Sequence, residues 1–423
     1  MASYYNYKIQ EFLVETKNGF QDLTESVSMM TYSENITSPM TYVSLLISNT
    51  GGILSKFKLS GGEKVRLVIS QDATKIRLNL TEENQNTYYI GNIGNSSTES
   101  TKEMFLLDLV PLEFFTNETA RVFRRYDSTI DASVTKILKE ELGTTRYQSS
   151  NIEKTSNKYS FMGNAKKPFT VLGWLCPKGI PTIGKSGNEV GTAGYLFFEN
   201  QNGYNFKSVD SLFDEARTPK ATYSYRETVA GPADTQANFK ITSPPLFRKN
   251  SNVLDNLRIG MYASINYFFD TNTRKFYRNT YKLKDSYDIM KHSSDKDDAP
   301  TIPEGLEDSP SRLMVSMLDS GQMDKSGKLQ AADKRMEYQA QSVTRYNLLF
   351  SQALNITVPL NLGLTVGDVI EVKFGEITKE DQKKGLKDNR KSGKYIISKL
   401  KHEFGTKGLT GLELIRDSYG VAK

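Results

Sequence analysis

The sequence predicts a β-rich α+β protein built on two related small antiparallel β-barrels with α/β insertions. Three observations carry that reading. Short alternating apolar runs dominate both ends of the chain. A helix-spaced stretch interrupts them in the middle. A nine-residue pattern near residue 60 returns near residue 365.

The first block, residues 1–112, reads as the first barrel. Val43, Leu45 and Ile47 share one face of Thr41–Ile47, and Val65, Leu67 and Ile69 do the same after the turn Gly61-Gly62. Ile76, Leu78 and Leu80 alternate with Lys75, Arg77 and Asn79, and Tyr88–Ile93 and Met104–Val110 complete the set. Short strands at this spacing, separated by turn signals, fit a small barrel.

Residues 113–240 read as an α/β insertion. Ser128 and Asp131 are spaced as a capping box ahead of Ile130, Val134, Ile137, Leu138 and Leu142, which recur at helical spacing. Gly143 stands where a helix end favours positive φ. Pro168 can open a second helix carrying Phe169, Leu172 and Leu175. Tyr195–Phe198 and Tyr204–Lys207 flank Asn202-Gly203, a hairpin signal.

Residues 241–290 are expected to give a short helix near Asn252–Arg258 and then a hairpin, Met261–Phe269 with Lys275–Leu283, as the first part of the second barrel. Residues 291–344 read as a loop and helix insertion. Residues 291–310 are polar and Pro-containing, and Ala331–Asn347 is helical with Met336, Ala340, Val343 and Asn347 on one face. Residues 345–423 read as the second barrel: Leu354–Val358, Asp368–Phe374, Lys394–Leu400 and Leu409–Arg416, with an exposed Lys-rich loop over 375–393.

The repeat ties the two ends together. Leu59-Ser60-Gly61-Gly62-Glu63-Lys64-Val65-Arg66-Leu67 aligns with Leu364-Thr365-Val366-Gly367-Asp368-Val369-Ile370-Glu371-Val372. Both read hydroxyl, any, Gly, acid, which is turn chemistry, followed by a half-buried strand. Downstream, Tyr88–Ile93 lies opposite Tyr395–Leu400, and Leu107-Asp108-Leu109 opposite Leu412-Glu413-Leu414, at nearly equal separations. Three chains with two such units each would present six similar units, able to meet a six-fold partner on one face and a three-fold partner on the other.

Chemistry is sparse. The chain has 423 residues, two histidines and one cysteine, so it lacks the Cys/His clusters of zinc sites. His292 sits in a polar segment and is expected in a solvated loop. His402 ends a strand and is expected at a rim or interface. Cys176, after Trp174-Leu175, is expected in a core, and one cysteine excludes an internal disulfide. Asp295, Asp297 and Asp298 resemble part of a calcium loop whose Gly and bidentate Glu are missing. Gly51-Gly52 and Gly61-Gly62 precede no Gly-Lys-Ser/Thr and read as turns. No catalytic, cofactor-binding or metal residue is therefore assigned, and no cofactor is expected.

A net charge of +6 permits contact with nucleic acid without demanding it. Arg124-Arg125, Lys166-Lys167, Arg274–Arg278 and the 378–394 loop are the basic stretches, read first as solvated charge. No apolar run nears the ~20 residues of a membrane span, and no signal peptide is visible, so no membrane insertion is expected.

Three stretches resemble the baseplate central hub proteins of T-even-type contractile-tailed phages and, more distantly, the hub portions of type VI secretion spikes. They are Leu364–Val372; Lys394–Phe404 followed by Leu412–Asp417, in which a Tyr-led strand runs into a His; and Phe197-Phe198-Glu199 through Gly203–Asp210. The order of segments matches as well, apart from residues 291–330, which depart from the family pattern. The resemblance implies a structural, non-enzymatic virion protein: a homotrimer forming a pseudo-hexameric ring in the tail baseplate, assembled in the host cytoplasm. Its implied partners are other copies of itself, the tail spike, tail tube or tube-initiator proteins, baseplate wedge proteins, and the tape-measure protein and DNA that pass through the lumen. Two alternatives stand beside it: a tail-associated cell-wall-degrading enzyme, and a barrel-based single-stranded nucleic-acid-binding protein.

Overall fold

The computed structural model describes residues 4–99, 101–183, 189–214, 216–225, 237–249, 252–293, 302–318, 334–375, 388 and 390–418. The Asp295, Asp297 and Asp298 cluster and most of the Lys-rich loop lie outside the described residues.

The N-terminal part is β1 (Tyr7–Thr16), β2 (Gly19–Asp22), β3 (Val27–Asn35), β4 (Tyr42–Asn49), the short helix α1 (Ile53–Phe57), β5 (Lys64–Gln71), β6 (Arg77–Leu80), β7 (Tyr88–Glu99) and β8 (Lys102–Pro111). The strands expected from Thr41 onward are present. Sequence alternation did not reveal β1 and β3. Each carries a register shift, between Ile9 and Glu11 in β1 and between Val27 and Met29 in β3. An extra residue in a strand breaks the two-residue period on which alternation depends.

The middle part begins with α2 (Leu112–Thr119), the two-residue strand β9 (Arg125–Tyr126), α3 (Ile130–Glu140), β10 (Phe161–Met162), which pairs with β9, and α4 (Pro168–Leu175). The minor pair β11 (Thr182–Ile183) and β12 (Glu189–Val190) follows, then the hairpin β13 (Tyr195–Asn200) and β14 (Gly203–Ser208), α5 (Val209–Leu212) and β15 (Thr222–Tyr225). Ile130, Val134, Ile137 and Leu138 of α3 share a core with Leu172, Leu175, Tyr195, Phe197, Tyr204 and Phe206. The expected capping box does not form. Thr129 is the N-cap residue, and the hydroxyl of Thr155 accepts the Ile130 N–H at 3.0 Å while donating to Asp131 at 2.8 Å. A threonine 25 residues away supplies the cap that local spacing assigned to Ser128.

The chain continues through β16 (Leu246–Lys249), α6 (Val253–Arg258), β17 (Ala263–Asp270), β18 (Lys275–Lys282), α7 (Leu283–Tyr287), β19 (Arg312–Leu318) and α8 (Arg335–Leu348). The hairpin β17–β18 stands in its own three-stranded sheet, with β19 parallel to β17, so residues 241–290 divide between two sheets. On α8, Ala340 is buried, but Met336, Val343 and Asn347 are half-exposed. Tyr338, Ser342, Thr344, Arg345 and Leu348 are buried instead, because polar partners and not an apolar stripe fix this helix.

The last strands are β20 (Gln352–Pro359), β21 (Val369–Phe374), β22 (Gly393–Phe404) and β23 (Gly408–Arg416). One large, mainly antiparallel sheet runs β16-β20-β23-β22-β3-β4-β8-β7-β5-β1-β2, with β6 beside β5 and β21 between β22 and β15. Among the described residues no pairing closes either half into a barrel. The two halves join edge to edge through β22 and β3, and one apolar core runs beneath both, from Phe12 to Ile415. No described helix is long and apolar enough to cross a membrane.

Candidate assembly site

The two ends of the chain repeat strand for strand. In the first unit the order is β4-β8-β7-β5; in the second it is β20-β23-β22-β21. The registers coincide. Val65 faces Tyr88 as Ile370 faces Tyr395, Ile93 faces Leu107 as Leu400 faces Leu412, and Val43 faces Leu109 as Leu354 faces Leu414. Each long strand carries a bulge at the same point, at Gly91 in β7 and at Ser398 in β22.

The turn before β5 and β21 explains the shared sequence pattern. Gly62 and Gly367 both adopt positive φ, 87° and 85°. Gly62 N–H donates to Ile90 O at 2.7 Å, and Gly367 N–H to Ile397 O at 2.9 Å. The acid closes the turn: Glu63 accepts Ser60 N–H at 2.7 Å, and Asp368 accepts Thr365 N–H at 2.9 Å. Hydroxyl, any, Gly, acid is thus the sequence of one particular hydrogen-bonded entry into a strand.

Glu34 clamps the units together. It is buried on β3, and its carboxylate accepts the Tyr32 hydroxyl at 2.8 Å, Gln201 N–H at 2.7 Å and Val366 N–H at 2.8 Å. These donors belong to the first unit, the β13–β14 turn and the second unit's turn. Burial pushes the Glu34 carboxyl up to about 8.

Among the described residues, two of the open strand edges belong to the repeated units. Residues 92–97 of β7, beyond its bulge at Gly91 and with a second register shift between Gly94 and Ser97, pair with β8 on one side; among the described residues nothing pairs with the other. β16 pairs with β20 and, among the described residues, with nothing else, and its Leu246 is 60% exposed. Open edges on ordered strands are the natural place for another chain to add. A second surface lies on the small sheet, where Phe276, Leu313, Val315 and Met317 are all more than half exposed.

No known protein-family model and no curated protein matches this sequence. Solved structures do. A tail protein from Neisseria meningitidis superposes with a TM-score of 0.52 and 12% identity over 98% of this chain and 97% of that one. A 43 kDa tail protein of a Shewanella oneidensis prophage superposes with a TM-score of 0.53 and 8% identity over 96% and 98%. The chain has the fold of phage tail proteins. A looser likeness, TM-score 0.42 and 10% identity over 99% of this chain and 79% of the other, is to a type VI secretion component of E. coli.

Within this phage-tail fold the residues singled out by chemistry lie apart. His292 is buried, contrary to the expected solvated loop. Its Nδ1 lies 2.9 Å from Asp417 Oδ2 and its Nε2 3.1 Å from Tyr287 O. Asp417 also takes the fully buried Arg345 guanidinium at 2.8 Å, which reaches Asp210 at 3.2 Å. Burial favours a protonated Asp417, but His292 and Arg345 outweigh it and hold the carboxyl at about 2. The cluster fastens the middle part, α8 and the end of β23 together. The sequence hid it because its members are scattered from residue 210 to residue 417.

His402 is also buried, inside β22, where it faces Tyr32 on β3 and Thr410 on β23. Of the expected rim or interface position, the structure shows a buried seam between the units of one chain, because β3 covers that edge. Burial holds its imidazole at about 3, so the ring is neutral. Cys176 is buried in the middle core as expected, and burial pushes its thiol up to about 12. His292, His402 and Cys176 thus belong to three different environments, and no nucleophile–base pair joins them.

Three residues of the Arg124-Arg125 and Lys166-Lys167 stretches are engaged in ion pairs. Arg124 pairs with Glu140, Arg125 with Asp127 at 2.7 Å, and Lys167 with Glu118. A cleft of about 450 Å³ lies between β6 and the middle part, lined by Arg77, Asn79, Asn84, Arg146, Tyr147 and Gln201 among others. Its lining has no carboxylate or histidine, the groups that general acid–base hydrolysis uses.

Proposed function

We propose that this chain is a structural subunit of a phage-tail baseplate, the central hub. Three copies would form a ring of six barrel-like units, adapting a six-fold tail tube to a three-fold spike around a channel for the tape-measure protein and DNA. The observation that carries this reading is the strand-for-strand repeat in a chain with the fold of phage tail proteins. A duplicated unit lets a three-fold assembly offer six near-equivalent positions to a six-fold neighbour. The buried polar clusters support a scaffold in preference to an enzyme, since their partners are other parts of the same chain.

The test is particle mass. With chains of 47.7 kDa, the protein alone or with its spike partner should give a three-chain species by light scattering. A chain that stays monomeric within purified baseplates overturns the reading. Release of fragments from peptidoglycan by the purified chain would establish the enzymatic alternative instead. Single-strand binding that collapses with added salt would establish the nucleic-acid one.

A further inference from the structure

The joint inside the chain shows how one unit grips the next. Beyond the bulge at Ser398, residues 399–404 of β22 pair antiparallel with β3: Lys399 opposite Asn35, Lys401 opposite Ser33, Glu403 opposite Thr31. Ser398 O accepts Ile36 N–H at 2.9 Å. β3 flanks β4 on the side away from β8. The second unit therefore holds the flanking strand of the first.

Each half of that joint has a counterpart whose other edge is unpaired among the described residues. The counterpart of residues 399–403 is residues 92–97 of β7, since Asn92 faces Asp108 as Lys399 faces Glu413, and Ser97 faces Met104 as Glu403 faces Leu409. The counterpart of β3 is β16. Phe247 faces Leu354 as Tyr32 faces Val43, and Leu246 faces Asn355 as Thr31 faces Ser44. Within one chain these edges stand at opposite ends of the run β16-β20-β23-β22-β3-β4-β8-β7.

We propose that the outer half of β7 in one protomer adds antiparallel to β16 of the next, with Ser97 opposite Leu246 and Gly94 opposite the Arg248–Lys249 bulge. The partner is a second copy of this chain, identified by the joint that the chain already makes with itself. The contact is head to tail, so it propagates and must close into a ring to stay finite. It removes two open edges and covers the exposed Leu246. The inference rests on the ring reading, but strand pairing by itself does not set the number of chains.

The test is a disulfide. Paired residues on adjacent strands bring Cα atoms to ~4.5–5.5 Å, within disulfide reach. The double variant Ser97→Cys/Leu246→Cys, oxidised in the assembled particle, should give a covalent ladder ending in a closed ring. Each single variant should give no ladder, and buried Cys176 should not compete. On assembly of the wild type, amide exchange over residues 92–97 should slow by about tenfold or more, a readout that needs no substitution. A three-chain particle with neither crosslink nor protection sinks the strand pairing and leaves the ring reading standing. A crosslinked ring of another number keeps the pairing and sinks the trimer.

Discussion

The turn of the first unit and the turn of the second use the same hydrogen bonds in opposite surroundings. Ser60-Gly61-Gly62-Glu63 is largely solvated, and a side chain added at Gly62 would meet nothing within 4 Å. Thr365-Val366-Gly367-Asp368 is buried. Phe198 lies 3.1 Å from where a Gly367 Cβ would be, Arg217 donates to Gly367 O at 2.8 Å, and Glu34 holds Val366 N–H. The backbone scheme thus belongs to the repeat, and the burial belongs to the insertion that only the second unit received. A duplicated unit has become a surface turn at one end and a structural clamp at the other.

The largest effect expected is from Glu34→Ala. It strands the Tyr32 hydroxyl and the Gln201 and Val366 N–H groups, at a cost of ~3 kcal/mol or more. Chemical denaturation should report that loss. Amide exchange should speed up at residues 366–368 and stay unchanged at residues 61–63. Equal loosening of both turns would break the comparison.

Next come the glycines. Both turns need positive φ, so Gly62→Ala should cost ~1–2 kcal/mol. Gly367→Ala bears the same strain and must also displace Phe198, so ~3 kcal/mol is expected. Equal midpoints for the two variants would show that the insertion does not tighten the second turn.

A third prediction concerns pH at the seam between the units. The folded state raises Glu34 from 4.5 to about 8, so it binds a proton more tightly than the unfolded chain and stability falls as pH rises through that window. His402 runs the other way, lowered from 6.5 to about 3, with its stability complete above 6.5 and lost as pH falls toward 3. Asp417, lowered from 3.8 to about 2, adds a further loss in that most acidic range. Between 4.5 and 6.5 the Glu34 and His402 slopes oppose each other. From 6.5 to 8 Glu34 acts without that opposition, at about 1.4 kcal/mol per pH unit, so stability should fall by ~2 kcal/mol. Melting temperatures across this range test it; Glu34→Gln should flatten the alkaline limb and His402→Gln the acid one.

How much of this was legible in the sequence follows from where the contacts lie. The strands from Thr41 onward, α3, α4 and the β13–β14 hairpin announce themselves through local periodicity and turn residues. The repeat was legible because its turn needs glycine and an acid at fixed offsets. β1 and β3 were hidden by bulges, and β19 by its isolation beyond a polar loop. The assembly site was half legible. Three sequence blocks give the repeat, but the open edges of β7 and β16 emerge only when each strand's partners are known. The burial of His292 and His402 was beyond sequence reasoning, since each is sealed by a strand or helix distant along the chain.

The smallest expected difference lies in the acids that close the turns. Glu63 accepts Ser60 N–H and Gly61 N–H at 2.7 and 2.9 Å beside solvent, so water can replace it. Glu63→Ala should cost ~0.5 kcal/mol. Asp368 accepts both the N–H and the hydroxyl of Thr365, at 2.9 and 3.0 Å, and pairs with Lys220 at 2.9 Å. That lysine is half-exposed and contributes little, but the Thr365 groups are buried, so Asp368→Ala should cost ~1–2 kcal/mol. Denaturation midpoints of the two variants measure the gap. If Glu63→Ala proves the more damaging, the first turn must be covered in solution, which would point to a neighbouring subunit seated over residues 60–63.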